Sequence, residues 1–375
     1  MHLYCHIPFC VRKCAYCGFY SVYAPAATVA GFPELLCREF SLRNPDGEAP
    51  RTWYLGGGTP TLLGAEGLTR MAELFAPFFP AAGLEEWTIE ANPADCSSAV
   101  IDAALKVGVN RISVGVQSFD DRLLADMGRR HTVSASRDLL RRLQSAGLDN
   151  FGIDLITGFP GETDESWLYT MEQALECAPK HISVYALSVE PHTVLSHRIG
   201  KGLVMALDDD QVMNRLKIAA IMLGEAGYRR YEISNYALPG YECRHNLAVW
   251  HGEDYLGLGP AAASRFGDRR WTNAPDLRKY GVALASGEIP PAQSDIRLTP
   301  EEDAVERTLF RFRLGEGLDL TAAAAAFPVL TDRLRAWDKV LRKLSAHGIT
   351  ESIPNGWRLT TRGFEVCDAV LAELS

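Results

Sequence analysis

"LYCHIPFCVRKCAYCGF", from Leu3 to Phe19, holds two different signals in one stretch. Its first half is β-rich and has the length of a single strand. Its second half sets Cys10, Cys14 and Cys17 directly beyond that strand. Three thiols delivered at the end of a strand fit a parallel α/β sheet, in which the loops beyond the strand ends carry the chemistry.

Working outward, similar β-rich runs recur: "RTWYLGG" from Arg51, "EEWTIEAN" from Glu85, "RISVGVQS" from Arg111, "NFGIDLIT" from Asn150 and "HISVYALS" from His181. Stretches with helical periodicity separate them. In "VSASRDLLRRLQSAG", for example, Leu139, Leu140 and Leu143 recur at helical spacing and Gly147 marks the stop. Six such alternations predict a parallel sheet with crossover helices, either an open doubly wound sheet or a full or partial barrel. The unusual residues gather at the strand ends: Cys10, the "GGGTP" from Gly56 to Pro60, the turn from Glu90 to Pro93, Gln117, and Asp154 to Gly158. Their shared edge predicts one composite site rather than five separate turns.

The chain has 375 residues, 47% of them apolar, enough for a large domain and a smaller one. A formal charge of −9 argues against a nucleic-acid or anionic-lipid partner. The amino-terminal stretch lacks the pattern of a secretion signal, and no window reaches membrane-spanning length; the expectation is a cytoplasmic protein. Nine cysteines, six of them scattered singly, suit reduced structural thiols, with Cys10, Cys14 and Cys17 set apart.

Beyond residue 205, "DDDQVMNRLKIAAIMLGEAG" reads as a long helix. The block from Tyr231 to Phe266 reads as a long functional loop. A second unit begins at Thr299, where Thr299, Pro300 and Glu302 form a helix start. The alanine run from Ala322 to Ala326 reads as helix, as does "TDRLRAWDKVLRKLSAHG", and "ITESIPNGWRLT" holds a hairpin turn at Asn355-Gly356. Helices, a hairpin and a last helix resemble a winged helix. Its basic face of Arg335, Lys339, Arg342 and Lys343 reads as solvated rather than DNA-binding.

Closely spaced thiolates select zinc, copper(I) or an iron–sulfur cluster. Zinc would need a fourth ligand, for which His6 or His2 is at hand, and usually a second CxxC, which this chain lacks. The reading favoured is a [4Fe–4S] cluster on Cys10, Cys14 and Cys17 with its fourth iron open. On spacing alone, a chance grouping of thiols or an unusual zinc site remains an alternative.

Taken together, "LYCHIPFCVRKCAYCGF", "YLGGGTPTLL", "TIEANP", "RISVGVQSFDDRLLADMGRRHT" and "FGIDLITGFPGET" resemble the oxygen-independent coproporphyrinogen III oxidase family of the radical S-adenosylmethionine (SAM) superfamily. The resemblance covers nearly the whole chain. It implies an α/β fold: a partial (βα)6 barrel core over 1–205, a barrel extension with a haem-associated loop region over 206–298, and a smaller C-terminal helical, winged-helix-like domain over 299–375. It also implies that SAM chelates the open iron and is cleaved to a radical by one electron. Tyr4 would lie near the bound SAM, and Tyr16 is the aromatic residue before the last cluster cysteine. Gly57, Gly58 and Thr59 would line the methionine end, with small residues allowing close approach of the ligand, and Glu90 would accept from the ribose hydroxyls. Gln117, Arg129 and Asp154 match positions that contact a second SAM in the oxidase.

Within that family the oxidase carries CxC after the last ligand, where this chain has Phe19, and a longer segment ahead of its cluster than the nine residues here. Both features resemble instead the HemW-type haem chaperones, marked by CxxxCxxCxF. The resemblance then implies haem or another tetrapyrrole as ligand, haem-accepting respiratory proteins and an electron donor as partners, and no oxidase activity. That class also carries HNxxYW, here "HNLAVW" from His245 with Val249 in place of the tyrosine, and commonly a histidine at the position of Ala263. By this reading His245 is a haem ligand at the barrel mouth, oriented by Asn246 with Trp250 packed on the macrocycle, and His251 and Cys243 are the substitutes. Two rival readings are a radical SAM oxidoreductase acting on a tetrapyrrole and a zinc-stabilised protein with a DNA-binding winged helix.

Overall fold

The computed structural model describes residues 1–44, 46–79 and 83–375. Six parallel strands form the barrel wall: β1 (His2–Ile7), β2 (Thr52–Gly57), β3 (Glu86–Ala91), β4 (Arg111–Gln117), β5 (Phe151–Thr157) and β6 (His181–Ala186). All six are the runs expected from the sequence. The connecting helices are α1 (Ala26–Ala30), α2 (Phe32–Arg43), α3 (Gly64–Phe75), α4 (Ser98–Val107), α5 (Asp121–Asp126), α6 (Val133–Ser145) and α7 (Asp164–Glu176). Strand periodicity sorts the side chains. Leu3, Cys5, Trp53, Leu55, Ile89 and Val114 turn outward and are buried with Leu36, Phe40, Met71 and Leu139 of the helices. The alternate residues, such as Tyr4, Tyr54, Glu90, Ser113 and Asp154, turn inward, so the barrel has an apolar jacket and a polar lumen.

After β6 come α8 (Val194–Gly200) and α9 (Asp209–Glu225). The block from Tyr231 onward, expected as loop, is structured. Short β7 (Arg229–Arg230) and β8 (Asn235–Ala237) pair antiparallel, and β8 joins β6. Then α10 (Arg244–Trp250) is followed by β9 (Tyr255–Leu258), which lies parallel to β1 on its free edge. Strands β10 (Ala263–Phe266), β11 (Arg269–Asn273) and β12 (Ala292–Arg297) continue antiparallel, with α11 (Leu277–Ala285) between the last two, completing a sheet of twelve strands among the described residues. Strands of three or four residues, as β8, β9 and β10 are, carry too little alternation to be read against their turns.

Thr299 caps α12 (Pro300–Arg311) in the expected capping box with Glu302. β13 (Leu318–Asp319), α13 (Leu320–Ala326), α14 (Thr331–Ala346), β14 (Thr350–Ile353), β15 (Gly356–Leu359), α15 (Thr361–Glu365) and α16 (Cys367–Leu374) follow around a second apolar cluster that includes Phe312, Leu334, Trp337 and Trp357. The hairpin turn differs from expectation. Ile353 pairs with Gly356, so Pro354 and Asn355 form the turn, with Asn355 at φ 63°. Gly356 belongs to the strand, where a Cβ would lie 1.9 Å from the carbonyl oxygen of Leu318. On α14 the basic face is partly neutralised along its own helix: Arg335 pairs with Asp332 and Arg342 with Asp338.

Candidate functional site

The cysteine loop is tied down at several points. Cys10 N–H donates to Val22 O (3.1 Å) and Val22 N–H to Pro8 O (2.7 Å), so the chain folds back along the end of β1. In mid-loop, Ala15 N–H donates to Met127 O (2.9 Å) and accepts at its own carbonyl from Leu195 N–H (2.8 Å). Tyr16 packs edge-on to Phe159 among Leu123, Met127, Ile156 and Leu195. These ties aim Cys10, Cys14 and Cys17 into a cavity of about 360 Å³ beyond the C-terminal strand ends.

Among the described residues, no group of three or more His, Cys, Asp and Glu side chains is set around a single metal ion. Three thiols facing one cavity suit a cluster, which takes one thiolate per iron. Donors reach two of the sulfurs: Arg129 Nη1 lies 3.6 Å from Cys14 Sγ, and Thr59 Oγ1 lies 3.7 Å from Cys10 Sγ. Burial pushes the Cys17 thiol up, and a coordinating metal would favour its thiolate.

The glycines after β2 answer to the chain itself. Gly57 has φ 105°, and a Cβ there would lie 2.4 Å from the His6 ring. Gly58 N–H donates to Ile7 O (2.8 Å), and its Cβ would meet the backbone of Ile7 and Phe9 at 2.6–2.9 Å. The close approach expected of a ligand is thus already made by β1. Gly57 N–H then points at Glu90 Oε2 (3.0 Å), while Tyr54 Oη donates to Glu90 Oε1 (3.0 Å). Burial, with Asp154 nearby, pushes the Glu90 carboxyl up to about 7 against those two donors.

Asp154 is likewise held up by burial and accepts from Ser113 Oγ at 3.2 Å. Gln117 closes β4 at φ 70° beside a register shift, the kind of bulge that re-aims a side chain. Arg129 is fixed by Nη2 donating to Gly115 O (2.8 Å). The cavity wall therefore brings together Cys10, Cys14, Tyr16, Cys17, Gly57, Gly58, Thr59, Glu90, Gln117, Arg129 and Asp154.

Two expected site residues lie elsewhere. Tyr4 is outside the cavity wall: it sits inside the barrel one step below, its Oη 3.2 Å from His6 Nδ1 and its ring 6.1 Å from Tyr54. His245 is at the opposite end of the barrel from the cysteines. It is 6% exposed and shares a hydrogen bond with Thr52 Oγ1 (2.9 Å) at the start of β2, so its placement at the mouth is overturned. Trp250 packs against Phe310 and Arg313 of the carboxy-terminal unit, not over the mouth. Cys243 is buried at the same floor, its Sγ donating to Glu86 (3.3 Å), and His251 pairs with Glu316 (2.8 Å).

Sequence reasoning missed Tyr54 and Tyr185, which lines the cavity at the end of β6, and offered His6 only as a zinc ligand. Strand alternation was the available signal, since Tyr185 falls in step with His181 and Ser183.

Comparison with known proteins agrees with this geometry. The family model of the radical SAM superfamily matches residues 4–174. A haem chaperone HemW of Mycobacterium tuberculosis is 34% identical over 99% of this chain and 94% of its own length, and the Escherichia coli HemW is 32% identical over 97% and 95%. Coproporphyrinogen III oxidase from Escherichia coli, a radical SAM enzyme, superposes with a TM-score of 0.85 at 24% identity, covering 100% of this chain and 89% of that one, which establishes the shared fold. With its cysteines, glycines and strand-end carboxylates meeting in one cavity and near-full-length relatives above 30% identity, the chain belongs to the HemW family of radical SAM proteins.

Proposed function

We propose that the protein is a haem chaperone of radical SAM type, with a [4Fe–4S] cluster on Cys10, Cys14 and Cys17 and SAM in the cavity beside it. The observation that supports this most is the convergence of all three thiols with Glu90, Gln117, Arg129 and Asp154 on one cavity. When bound, the cluster and SAM supply one-electron chemistry at the open iron. The chain's own part is to hold and orient. Glu90, already held by Gly57 N–H and Tyr54 Oη, offers its carboxylate to the ribose hydroxyls. Arg129 places a cation beside Cys14, and Thr59 a hydroxyl beside Cys10.

Haem is taken at the rim of the same cavity. Phe19 is 65% exposed and Tyr185 40%, offering aromatic surface to a flat apolar macrocycle, and Arg12 and Lys13 stand on the same wall to meet its propionates. Delivery to haem-accepting proteins follows the relatives' names as chaperones. Among the described residues no helix is long and apolar enough to cross a membrane.

The test is anaerobic reconstitution followed by incubation with SAM, reductant and haem or coproporphyrinogen. Unaltered haem recovered on an acceptor supports the chaperone; a chemically modified tetrapyrrole would replace it with an oxidoreductase.

A further inference from the structure

Between the floor of the barrel and the cavity, the lumen holds polar atoms that the protein itself does not satisfy. Arg111 opens β4 beside Thr88 of β3 and one inward step below Ser113, which bonds Asp154. It is 2% exposed, and its Nε and Nη1 are buried without a hydrogen-bond partner among the described residues. Glu86, the floor carboxylate, is engaged instead by Cys243 Sγ and the N–H groups of Arg244 and His245. Three more buried atoms around the same lumen lack a partner among the described residues: Thr88 Oγ1, His181 Nδ1 on β6, and Asn235 Oδ1 on β8, opposite Ser183 of β6. On β5 a glycine makes room for the imidazole, since a Cβ on Gly152 would lie 3.1 Å from His181 Nδ1. A buried guanidinium is too costly to leave unsolvated, and an enclosed space with donors and an acceptor on four strands is one that ordered water fills.

We propose that Arg111 is a positioning residue for SAM: acting through ordered water in the lumen, its charge keeps the Glu90 carboxylate ionised, so that Glu90 can accept from the ribose hydroxyls. The inference rests on the assignment of Glu90 to SAM above. Glu90 faces Tyr54 Oη and Gly57 N–H, with Tyr4 and Asp154 nearby, and Asp154 faces Ser113, Arg129 and Tyr185. Burial drives both carboxyls up and Asp154 adds to the rise at Glu90, while Arg111 draws both back down, joined at Asp154 by Arg129. Arg129 is tethered to Gly115 O and reaches towards Cys14, which leaves Arg111 as the cation on the lumen side of the pair. His181 and His245 are neutral near pH 7 and add no charge, and Glu232 is engaged with Asn235 and Trp250. A cation one water away suits this task. It stabilises the negative charge without occupying the carboxylate lone pairs that the ribose takes.

The measurement is SAM affinity of the reconstituted protein by anaerobic calorimetry, from about pH 5.5 to 8.5. In wild type the affinity falls off below about pH 7 as Glu90 takes up its proton. In Arg111→Met, which keeps the length of the side chain without its charge, that midpoint moves up by about one unit, so affinity near neutral pH drops about tenfold and recovers at the alkaline end. Arg111→Lys restores most of the wild-type profile. In a Glu90→Gln background Arg111→Met costs nothing further, because the group it acts on is gone. Thr88→Val removes a water partner from the lumen wall and no side-chain hydrogen bond within the described protein; it moves the midpoint the same way by less, and it carries the test if Arg111→Met does not fold. A loss of affinity equal at every pH, an unshifted midpoint in Arg111→Met or in Thr88→Val, or an undiminished loss in the Glu90→Gln background would overturn the proposal. Failure of the SAM reading shows separately, as wild-type protein that carries its iron and binds no SAM at any pH.

Discussion

Replacing Glu90 by glutamine removes a carboxyl that the barrel holds up to about 7 against an ordinary 4.5, chiefly through burial and then through Asp154. Between those two values the folded protein keeps a proton on Glu90 that the unfolded chain has released. Fewer protons are bound in the unfolded state, so stability falls as pH rises across that window. The full linkage amounts to about 3 kcal/mol, lost between roughly pH 4.5 and 7. Urea unfolding of the metal-free protein from pH 5 to 8.5 reads most of it: wild type loses about 2.5 kcal/mol relative to Glu90→Gln over that range. SAM reverses the preference, because ribose hydroxyls donate to the carboxylate form. SAM affinity in wild type therefore falls about tenfold per pH unit below 7, while Glu90→Gln binds about ten- to a hundredfold more weakly and without that slope. Parallel stability curves for the two proteins, or an equal pH slope of SAM affinity, would refute the placement of Glu90.

Alanine at Cys10, Cys14 or Cys17 strips iron from the reconstituted chain, whereas Cys96→Ala, buried in the jacket, keeps roughly four irons; iron and sulfide assays decide. Gly57→Ala meets both a φ of 105° and the His6 ring, and lowers the melting temperature by more than Gly47→Ala, which has φ 69° and open space around it. Arg129→Met takes a cationic donor from Cys14 Sγ, so the cluster potential measured by redox titration drops, and Arg129→Lys recovers part of it. His245→Ala leaves haem affinity unchanged but costs about 1–3 kcal/mol of stability by removing one of the two hydrogen bonds of Thr52 and opening a cavity in the floor; loss of the haem spectrum at full stability would restore the ligand reading.

What was legible in the sequence was whatever strong periodicity or tight spacing carried. The six wall strands alternate over six or seven residues, and the thiols stand at fixed separations beyond the first. The site could be assembled from strand ends alone because parallel strands share one chemical edge. The misses share a cause: they depend on contacts between distant segments. That Gly58 yields to β1 and Gly356 to β13, or that "YLGL" lies beside β1, is invisible to any local pattern. His245 misled for the same reason. A histidine with an asparagine and a tryptophan nearby suggests a ligand, yet its position is set by Thr52 and Glu86, well over a hundred residues earlier.

The barrel floor explains why one end alone is left for ligands. A polar lumen open at both ends would admit water throughout, whereas α10 closes the end away from the cysteines. Glu86, at the start of β3, accepts the N–H groups of Arg244 (2.8 Å) and His245 (3.1 Å), capping the helix with a buried carboxylate. Thr52 Oγ1 stands between His2 Nδ1 and His245 Nδ1, each 2.9 Å away, and Tyr231 Oη bonds His181 Nε2 at 2.8 Å. Burial first, then His2 and Arg111, push His245 down to about 3, and burial with Arg111 holds His181 low as well. Both rings are neutral near pH 7, so the plug carries no charge switch there. Its hydrogen bonds tie α10 directly to β2 and β3, and through Thr52 and Tyr231 to β1 and β6, and the exposed functional groups are left at the mouth. An imidazole so engaged is a structural member of the floor, and the cavity opens at the other end, where Phe19, Tyr185 and the three cysteines meet.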